Sequence, residues 1–338
     1  MKKALLIAGA GTLGGAVYPE LLRRGWAVDV VSLEDFQSVM PQLRFIRADA
    51  NCATLERLLA EPPHYAAIVD FLHIADPEEQ RRRIDLCLAH TDQFVFLSSS
   101  RAYSDAGGLV TEQTPLWLDT TDDADFLAHD VYAIPKCRGE RHLRGLAAKN
   151  WTIVRPQISF SHYRLDLVSV GAYAILTRGR AGKPIPLPVE VRDKLAGISW
   201  AGNVGRELAA LLGNPRALGE DFTLGTGEAL TWGDVASCYE ELAGCRFVWI
   251  PAEDYLRIAT LNDFDSRQII YTDRIFDRRA DVSKVLNVTG IAPGSFVSCR
   301  DAVAHELAFL SERPDLVRRF DAPFRHELDA RMDAYFAQ

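Results

Sequence analysis

Short apolar runs alternate, over the first two-thirds of the chain, with stretches whose apolar positions recur at helical spacing. Ala4 to Ala8, Val28 to Ser32, Arg44 to Arg47, Ala67 to Phe71, Phe94 to Ser98 and Thr152 to Arg155 predict strands. Leu13 to Arg24, closed by Gly25, predicts a helix, and Glu78 to His90 and Tyr132 to Lys149 are amphipathic in the same way. This alternation specifies an α/β fold, a doubly wound parallel sheet of the Rossmann kind with helices on both faces. Phe222 to Gly225 predicts a late return into that sheet. Pro19 runs against the first helix, where an interior proline costs on the order of 3 kcal/mol unless a kink absorbs it.

The texture changes after Arg155. Gly179 to Pro188, rich in proline and glycine, predicts a loop. From Thr231 onward helical patterns dominate, with one further strand at Arg246 to Ile250, a short helical piece at Ser283 to Leu286 and an amphipathic helix at Ser298 to Leu310 capped by Ser298. The expected partition is a main domain over residues 1–160, to which 197–230 return, and a smaller C-terminal α/β lobe made of 161–196 and 231–338.

The 338 residues carry a net charge of −8, with 48% hydrophobic and 25% charged positions, the make-up of an ordinary globular protein. That balance argues against a nucleic-acid surface, which needs clustered lysine and arginine. The one dense basic run, Arg81-Arg82-Arg83, follows Asp76, Glu78 and Glu79 and predicts a solvated helix face. The apolar run after Met1-Lys2-Lys3 is too short for a signal peptide and suits a first strand, and no stretch approaches the ~20 apolar residues of a membrane span. Six scattered cysteines without a CxxC pair predict free thiols in a reducing cytoplasm, and neither they nor the eight histidines offer a metal site.

The first strand runs directly into Gly9-x-Gly11-x-x-Gly14, with Thr12 and Leu13 between the last two glycines. Strand, glycine loop and helix in this order supply a tight turn, a bare backbone for a pyrophosphate and a helix N-terminus aimed at the anion. The second strand ends at Ser32, where an acid would select NAD and a nearby arginine NADP. Either cofactor remains open, and Glu34 is a further residue within reach of a ribose.

Ser98, Ser99 and Ser100 close the strand that begins at Phe94, at the carboxyl edge where open α/β sheets bind ligands. Tyr132 and Lys136 stand four apart, which on a helix places both on one face. A lysine ammonium beside a tyrosine favours the phenolate. Such a tyrosine exchanges a proton with a carbinol while a nicotinamide exchanges hydride, and a serine hydroxyl holds the substrate oxygen. Pro135 raises the question whether the helix opens only at that residue and leaves Tyr132 in the turn before it.

Glycine loop, hydroxyl run and Tyr-x-x-x-Lys together resemble the extended short-chain dehydrogenase/reductase superfamily, the NAD-dependent epimerase/dehydratase group, over nearly the whole chain. The resemblance implies Ser99 as the active hydroxyl, with Ser100 behind it, and Tyr132 and Lys136 as its partners. It implies a cofactor site of Gly9, Gly11, Thr12, Leu13, Gly14, Ser32, Asp49, Ala50, Phe71, Leu72, His73, Ser98, Pro156 and Gln157, with Ile158 beside the reacting carbon. It also implies a homodimer formed through two helices per subunit, for which Glu78 to His90 and Tyr132 to Lys149 are candidates.

Departures from the family pattern narrow the chemistry. Ala8 holds the place of the usual first glycine. Ser100 and Arg101 stand where sugar-nucleotide dehydratases carry an Asp-Glu pair, and Ile158 replaces an asparagine that contacts nucleotide sugars. Arg101 and Arg192 are candidates for a substrate phosphate or carboxylate. The expected function is an NAD(P)-dependent epimerase or oxidoreductase acting on a secondary alcohol or ketone of a sugar-like small molecule. The competing expectation is a non-catalytic cofactor-sensing or RNA-associated protein on the same fold.

Overall fold

Seven parallel strands form the central sheet of the computed structural model, which describes residues 1–60, 64–105 and 107–338. They are β1 (Lys3–Ile7), β2 (Ala27–Ser32), β3 (Leu43–Arg47), β4 (Ala67–Asp70), β5 (Phe94–Leu97), β6 (Trp151–Pro156) and β7 (Glu220–Leu224). Their order across the sheet is β7-β6-β5-β4-β1-β2-β3, so the winding reverses between β1 and β4. Leu6 sits opposite Val30 on one side and Val69 on the other. A reversal of this kind opens a crevice at the carboxyl ends of the strands. The late return at Phe222 is the edge strand β7, and it pairs with β6.

Helices cover both faces, because every apolar residue of β1 needs shelter on the side it points to. On one face Val17 and Leu21 of α1 (Gly14–Arg23) join Leu6, Val30 and Val69, together with residues of a helix at Ala201–Leu211. On the other, α2 (Cys52–Ala60), α3 (Pro77–Ala89) and α4 (Ala133–Gly145) bring Leu55, Ile84 and Leu143 against Leu5, Ile68 and Phe96. We call the Ala201–Leu211 helix α5. A separate cluster gathers Phe160, Leu187, Trp232, Tyr239, Tyr255 and Val303 from the later chain. Among the described residues no helix is long and apolar enough to cross a membrane.

Two expectations need correction. Pro184–Pro188, expected as part of a loop, is a strand paired in parallel with Arg246–Ile250, and its Ile185 and Leu187 are fully buried. Prolines at alternate positions put every missing N–H on the same edge, so Ile185 and Leu187 keep theirs for the partner strand. Arg83, expected on a solvated face, is 2% exposed. It follows Gln80 and precedes Cys87 on the inward side of α3, where its guanidinium pairs with Asp70 and donates to the carbonyl of Ala50. It thereby ties the end of β4 to the turn after β3. Arg81 and Arg82 are exposed as expected.

The smaller predictions hold. A helix covers Ser283–Thr289, and Ser298 caps the helix at Cys299–Ser311 by accepting from the Asp301 N–H at 3.1 Å. Pro19 lies inside α1, which continues through it to Arg23.

Candidate active site

The crevice at the β1/β4 reversal holds two neighbouring cavities that share Ala8 and Gly11. The larger, about 350 Å3, is walled by Thr12, Leu13 and Gly14 of the glycine loop, the Ser98–Arg101 run, Tyr132, and the Pro156–Ile158 stretch after β6. The second, about 300 Å3, is walled by Ser32 and Glu34 after β2, Asp49 and Ala50 after β3, Leu72 after β4, and Tyr163.

The three glycines divide their work. A Cβ on Gly14 would lie 2.3 Å from the carbonyl oxygen of Gly9, and one on Gly9 would lie 2.5 Å from the Cβ of Leu6. These two permit α1 to pack against the end of β1, and Gly9 itself faces neither cavity. Gly11 differs, since a Cβ there meets nothing within 4 Å. Its bare backbone forms part of both cavity walls, the place a pyrophosphate needs. Ala8 before them has φ of 54°, a left-handed conformation that glycine adopts without strain.

Tyr132 caps α4, and Pro135 is the third helical residue rather than the first. A proline in the first turn forfeits only an N–H that has no intrahelical partner. Asp130 fixes the turn: its Oδ1 accepts from the N–H groups of Tyr132 at 3.1 Å and Ile134 at 2.8 Å. The Lys136 N–H then donates to the Tyr132 carbonyl at 3.2 Å. Tyr132 thus stands just outside the helix, yet the Lys136 ammonium lies 5.9 Å from the centre of its ring. Lys136 is buried and donates through Nζ to the carbonyl of Leu97 at 2.6 Å. Burial holds its ammonium below the usual lysine range, while the charges of Tyr132, Asp70 and Glu140 pull the other way.

The hydroxyl run opens a single turn of tight helix. Ser99 Oγ accepts from the Arg101 N–H at 3.2 Å and lines the larger cavity beside Tyr132. Ser98 donates to Glu140 at 2.5 Å, and Glu140 in turn is gripped by Arg155 of β6, with both charges buried. His73 stacks against Tyr132 with ring centres 4.9 Å apart and donates through Nε2 to the carbonyl of Val131. Its burial lowers the imidazole pKa.

Nearly all the residues singled out in the sequence therefore meet at one crevice. Phe71, Ser98, Ser99, Ser100, Arg101, Pro156, Gln157 and Ile158 line the larger cavity, and Ser32, Asp49, Ala50 and Leu72 the smaller. Arg192 does not belong with them. It is exposed, 5.8 Å from the ring centre of Trp249, and touches neither cavity, because its short helix at Val189–Val191 lies beyond the Pro184–Pro188 strand.

No model of a known protein family matches the chain, and no curated protein does. Solved structures do. The UDP-glucuronic acid 4-epimerase of Bacillus cereus, in complex with UDP-glucuronic acid and NAD, is 16% identical and superposes with a TM-score of 0.68 over 92% of this chain and 99% of that one. The epimerase Mth375 of Methanothermobacter thermautotrophicus is 17% identical, with a TM-score of 0.68 over 94% of this chain and 95% of that one. An NAD-dependent NDP-hexosamine 5,6-dehydratase of tunicamycin biosynthesis is 18% identical, with a TM-score of 0.66 over 93% and 99%. The chain shares their fold.

Among the larger cavity's residues that escaped the sequence reading are Arg164, Ile269, Asp273 and Arg274. Arg164 belongs to the turn after β6, and the other three to the segment entering and forming a wide helical turn at Ile270–Arg274. Arg274 pairs with Asp273 and donates to the carbonyl of Val168 at 2.6 Å. Arg278 also pairs with Asp273, at 3.0 Å. The crowding of charge between Asp273 and Arg279 was the one available signal, and spacing alone could not aim it at the crevice.

Proposed function

We propose that the chain is an NAD(P)-dependent enzyme of the short-chain dehydrogenase/reductase type, in its epimerase/dehydratase group. Its substrate is a secondary alcohol or ketone of a sugar or nucleotide sugar. The observation that carries this reading is the meeting of Tyr132 and Ser99 at the cavity that the glycine loop also lines, with the buried Lys136 ammonium 5.9 Å from the Tyr132 ring centre.

The residues present suit a dinucleotide. Gly11 offers bare backbone at the junction of the two cavities, and α1 has no acidic residue in its first turn to repel phosphate. Gly11, Thr12 and Leu13 would hold the pyrophosphate. Ser32, Glu34, Asp49 and Ala50 would surround the adenosine, and Phe71, Pro156 and Gln157 the nicotinamide. Glu34 favours NAD over NADP, because its carboxylate accepts from a ribose 2′-hydroxyl and repels a 2′-phosphate. Bound there, the nicotinamide supplies the hydride acceptor and donor.

The protein's own part is proton handling and placement. Ser99 donates a hydrogen bond to the substrate oxygen. Tyr132 takes the carbinol proton as the C–H bond breaks and the carbon becomes a ketone, and returns that proton on reduction. Lys136, held at the Leu97 carbonyl, stabilises the negative charge on the Tyr132 oxygen. With a nicotinamide bound, hydride returned to the opposite face of the ketone would give an epimer, and hydride returned to the same face would give back the starting alcohol. The reading includes a homodimer through the neighbouring helices α3 and α4, which sedimentation at micromolar concentration tests.

Two measurements decide the enzyme reading. Any dinucleotide released from purified protein is identified by mass, and turnover of UDP-sugars is compared between the wild type and Tyr132→Phe. The expected loss is about 100-fold or more. Full activity in the phenylalanine variant would sink the proposal.

A further inference from the structure

Three guanidinium groups line the larger cavity, those of Arg101, Arg164 and Arg274, against one carboxylate, Asp273. The described wall thus carries three positive charges and one negative in a chain whose net charge is −8. Such a local reversal of sign marks a place for an anion. The three arginines are not equivalent, however. Arg274 is committed to Asp273 and the Val168 carbonyl, and Arg164 stands exposed at the mouth.

Arg101 is the one placed where chemistry would occur. It follows Ser99 and Ser100 directly, and its guanidinium carbon lies 5.3 Å from the centre of the Tyr132 ring. One end is tethered by a long contact, Nη2 to Asp130 Oδ2 at 3.4 Å, while the other oxygen of Asp130 is committed to capping α4. Its Nε is buried without a hydrogen-bond partner. A buried donor left unpaired is a cost that an acceptor on a ligand would remove. The flat fork of a guanidinium matches a carboxylate better than any neutral oxygen. Asp265 also interacts with Arg101 electrostatically, but it is exposed, so solvent screens its charge.

We infer that the substrate bears a carboxylate on the carbon next to the reacting carbinol, and that Arg101 is the residue that selects it. The inference rests on the proposed Tyr132 chemistry, which fixes the position of the carbinol.

The test uses NAD-loaded protein and a matched pair of probes, UDP-glucuronate and UDP-glucose, which differ at one carbon by carboxylate against hydroxymethyl. Binding is measured by calorimetry for the wild type, Arg101→Met and Arg101→Lys. The wild type should bind the carboxylate member about tenfold or more tightly. Arg101→Met should abolish the difference while leaving affinity for NAD and UDP-glucose unmoved, and Arg101→Lys should keep part of it. Equal binding of the pair by the wild type, binding of neither, or a preference that survives in Arg101→Met each overturns the inference. Tyr132→Phe, run in parallel, should keep the preference and lose turnover. If it keeps turnover, the proposed chemistry falls by a separate measurement.

Discussion

The ammonium of Lys136 reaches past Tyr132 to the carbonyl of Leu97, the last residue of β5, and makes its 2.6 Å hydrogen bond there in full burial. Charge so placed favours a phenolate on a neighbouring tyrosine, and its burial costs the fold. Because burial lowers the folded-state pKa below the ordinary 10.5, the unfolded chain binds the proton more tightly across the window between the two values. Stability lost to this lysine is therefore complete below the folded pKa and recovered as pH rises to 10.5. Lys136→Met should melt higher than the wild type at neutral pH, with the advantage shrinking toward alkaline pH. Turnover in the same variant should fall by about 100-fold or more. Thermal melts across pH 7 to 10 check the first part; a variant that melts lower throughout contradicts it.

Glu207 of α5 presents the same argument with the opposite sign. Its side chain is fully buried, one oxygen accepts from the Gly225 N–H at 2.9 Å, and the other has no partner. Burial holds the carboxyl well above its usual range. The folded state here binds the proton more tightly, so stability is present at low pH and declines as pH climbs from about 4.5 through the folded pKa. Glu207→Gln keeps the acceptor for Gly225 and cannot ionise. The melting temperature of the variant, relative to wild type, should be flat below about pH 4 and increasingly favourable from there toward pH 9. A constant difference across that range would show that Glu207 does not titrate in the fold.

What was legible in the sequence is what depends on period and order. Strands as apolar as Leu5-Leu6-Ile7 announce burial on both faces, and a glycine loop between such a strand and a helix has few other uses. Tyr132 and Lys136 could be paired because their separation is local, although only the structure showed that Asp130 caps the turn and that Pro135 costs nothing there. Arg83 and the Pro184–Pro188 strand were misjudged because composition was weighed above phase. Gln80, Arg83 and Cys87 share the buried side of a helix, and alternate prolines leave one strand edge intact. Arg192 and Arg274 look alike as sequence. Which of them meets the crevice is decided by how the later chain folds back over the sheet, and no local pattern carries that information.

The glycine loop offers a separation of folding from binding. Gly14→Ala forces a Cβ into the backbone of Gly9, which cannot move without displacing β1, and should cost about 1–3 kcal/mol of stability. Gly11→Ala places its methyl in open space, so its stability without ligand should stay within about 0.5 kcal/mol of the wild type. The methyl nevertheless projects from the wall that both cavities share, and NAD affinity should fall about tenfold or more. Denaturant melts of the free proteins and calorimetric titration with NAD distinguish the two. A Gly11→Ala protein that binds NAD normally would remove the pyrophosphate from this loop.

Tyr163 is placed to cover a dinucleotide bound in the smaller cavity. It lines the smaller cavity, and on its other side it lines a third hollow behind α1 with His162, Trp200 and Phe309. A Cβ on Gly15 would stand 3.5 Å from its ring, so the tyrosine rests against the first turn of α1 in ordinary contact. The turn that carries it is latched from the far side. Glu306 accepts from the His162 N–H at 2.8 Å and from Trp200 Nε1 at 2.6 Å, and its carboxyl is held below the usual range, against burial, by these bonds. Tyr163→Ala removes the cover and leaves the latch. Without ligand it should melt close to the wild type, while NAD should dissociate about tenfold faster with little change in its association rate. Glu306→Gln releases the latch, lowers stability in the free protein, and should speed dissociation as well. Stopped-flow displacement of NAD measures both rates; unchanged dissociation in the two variants would show that the turn at Ser161–Arg164 plays no part in retaining the cofactor.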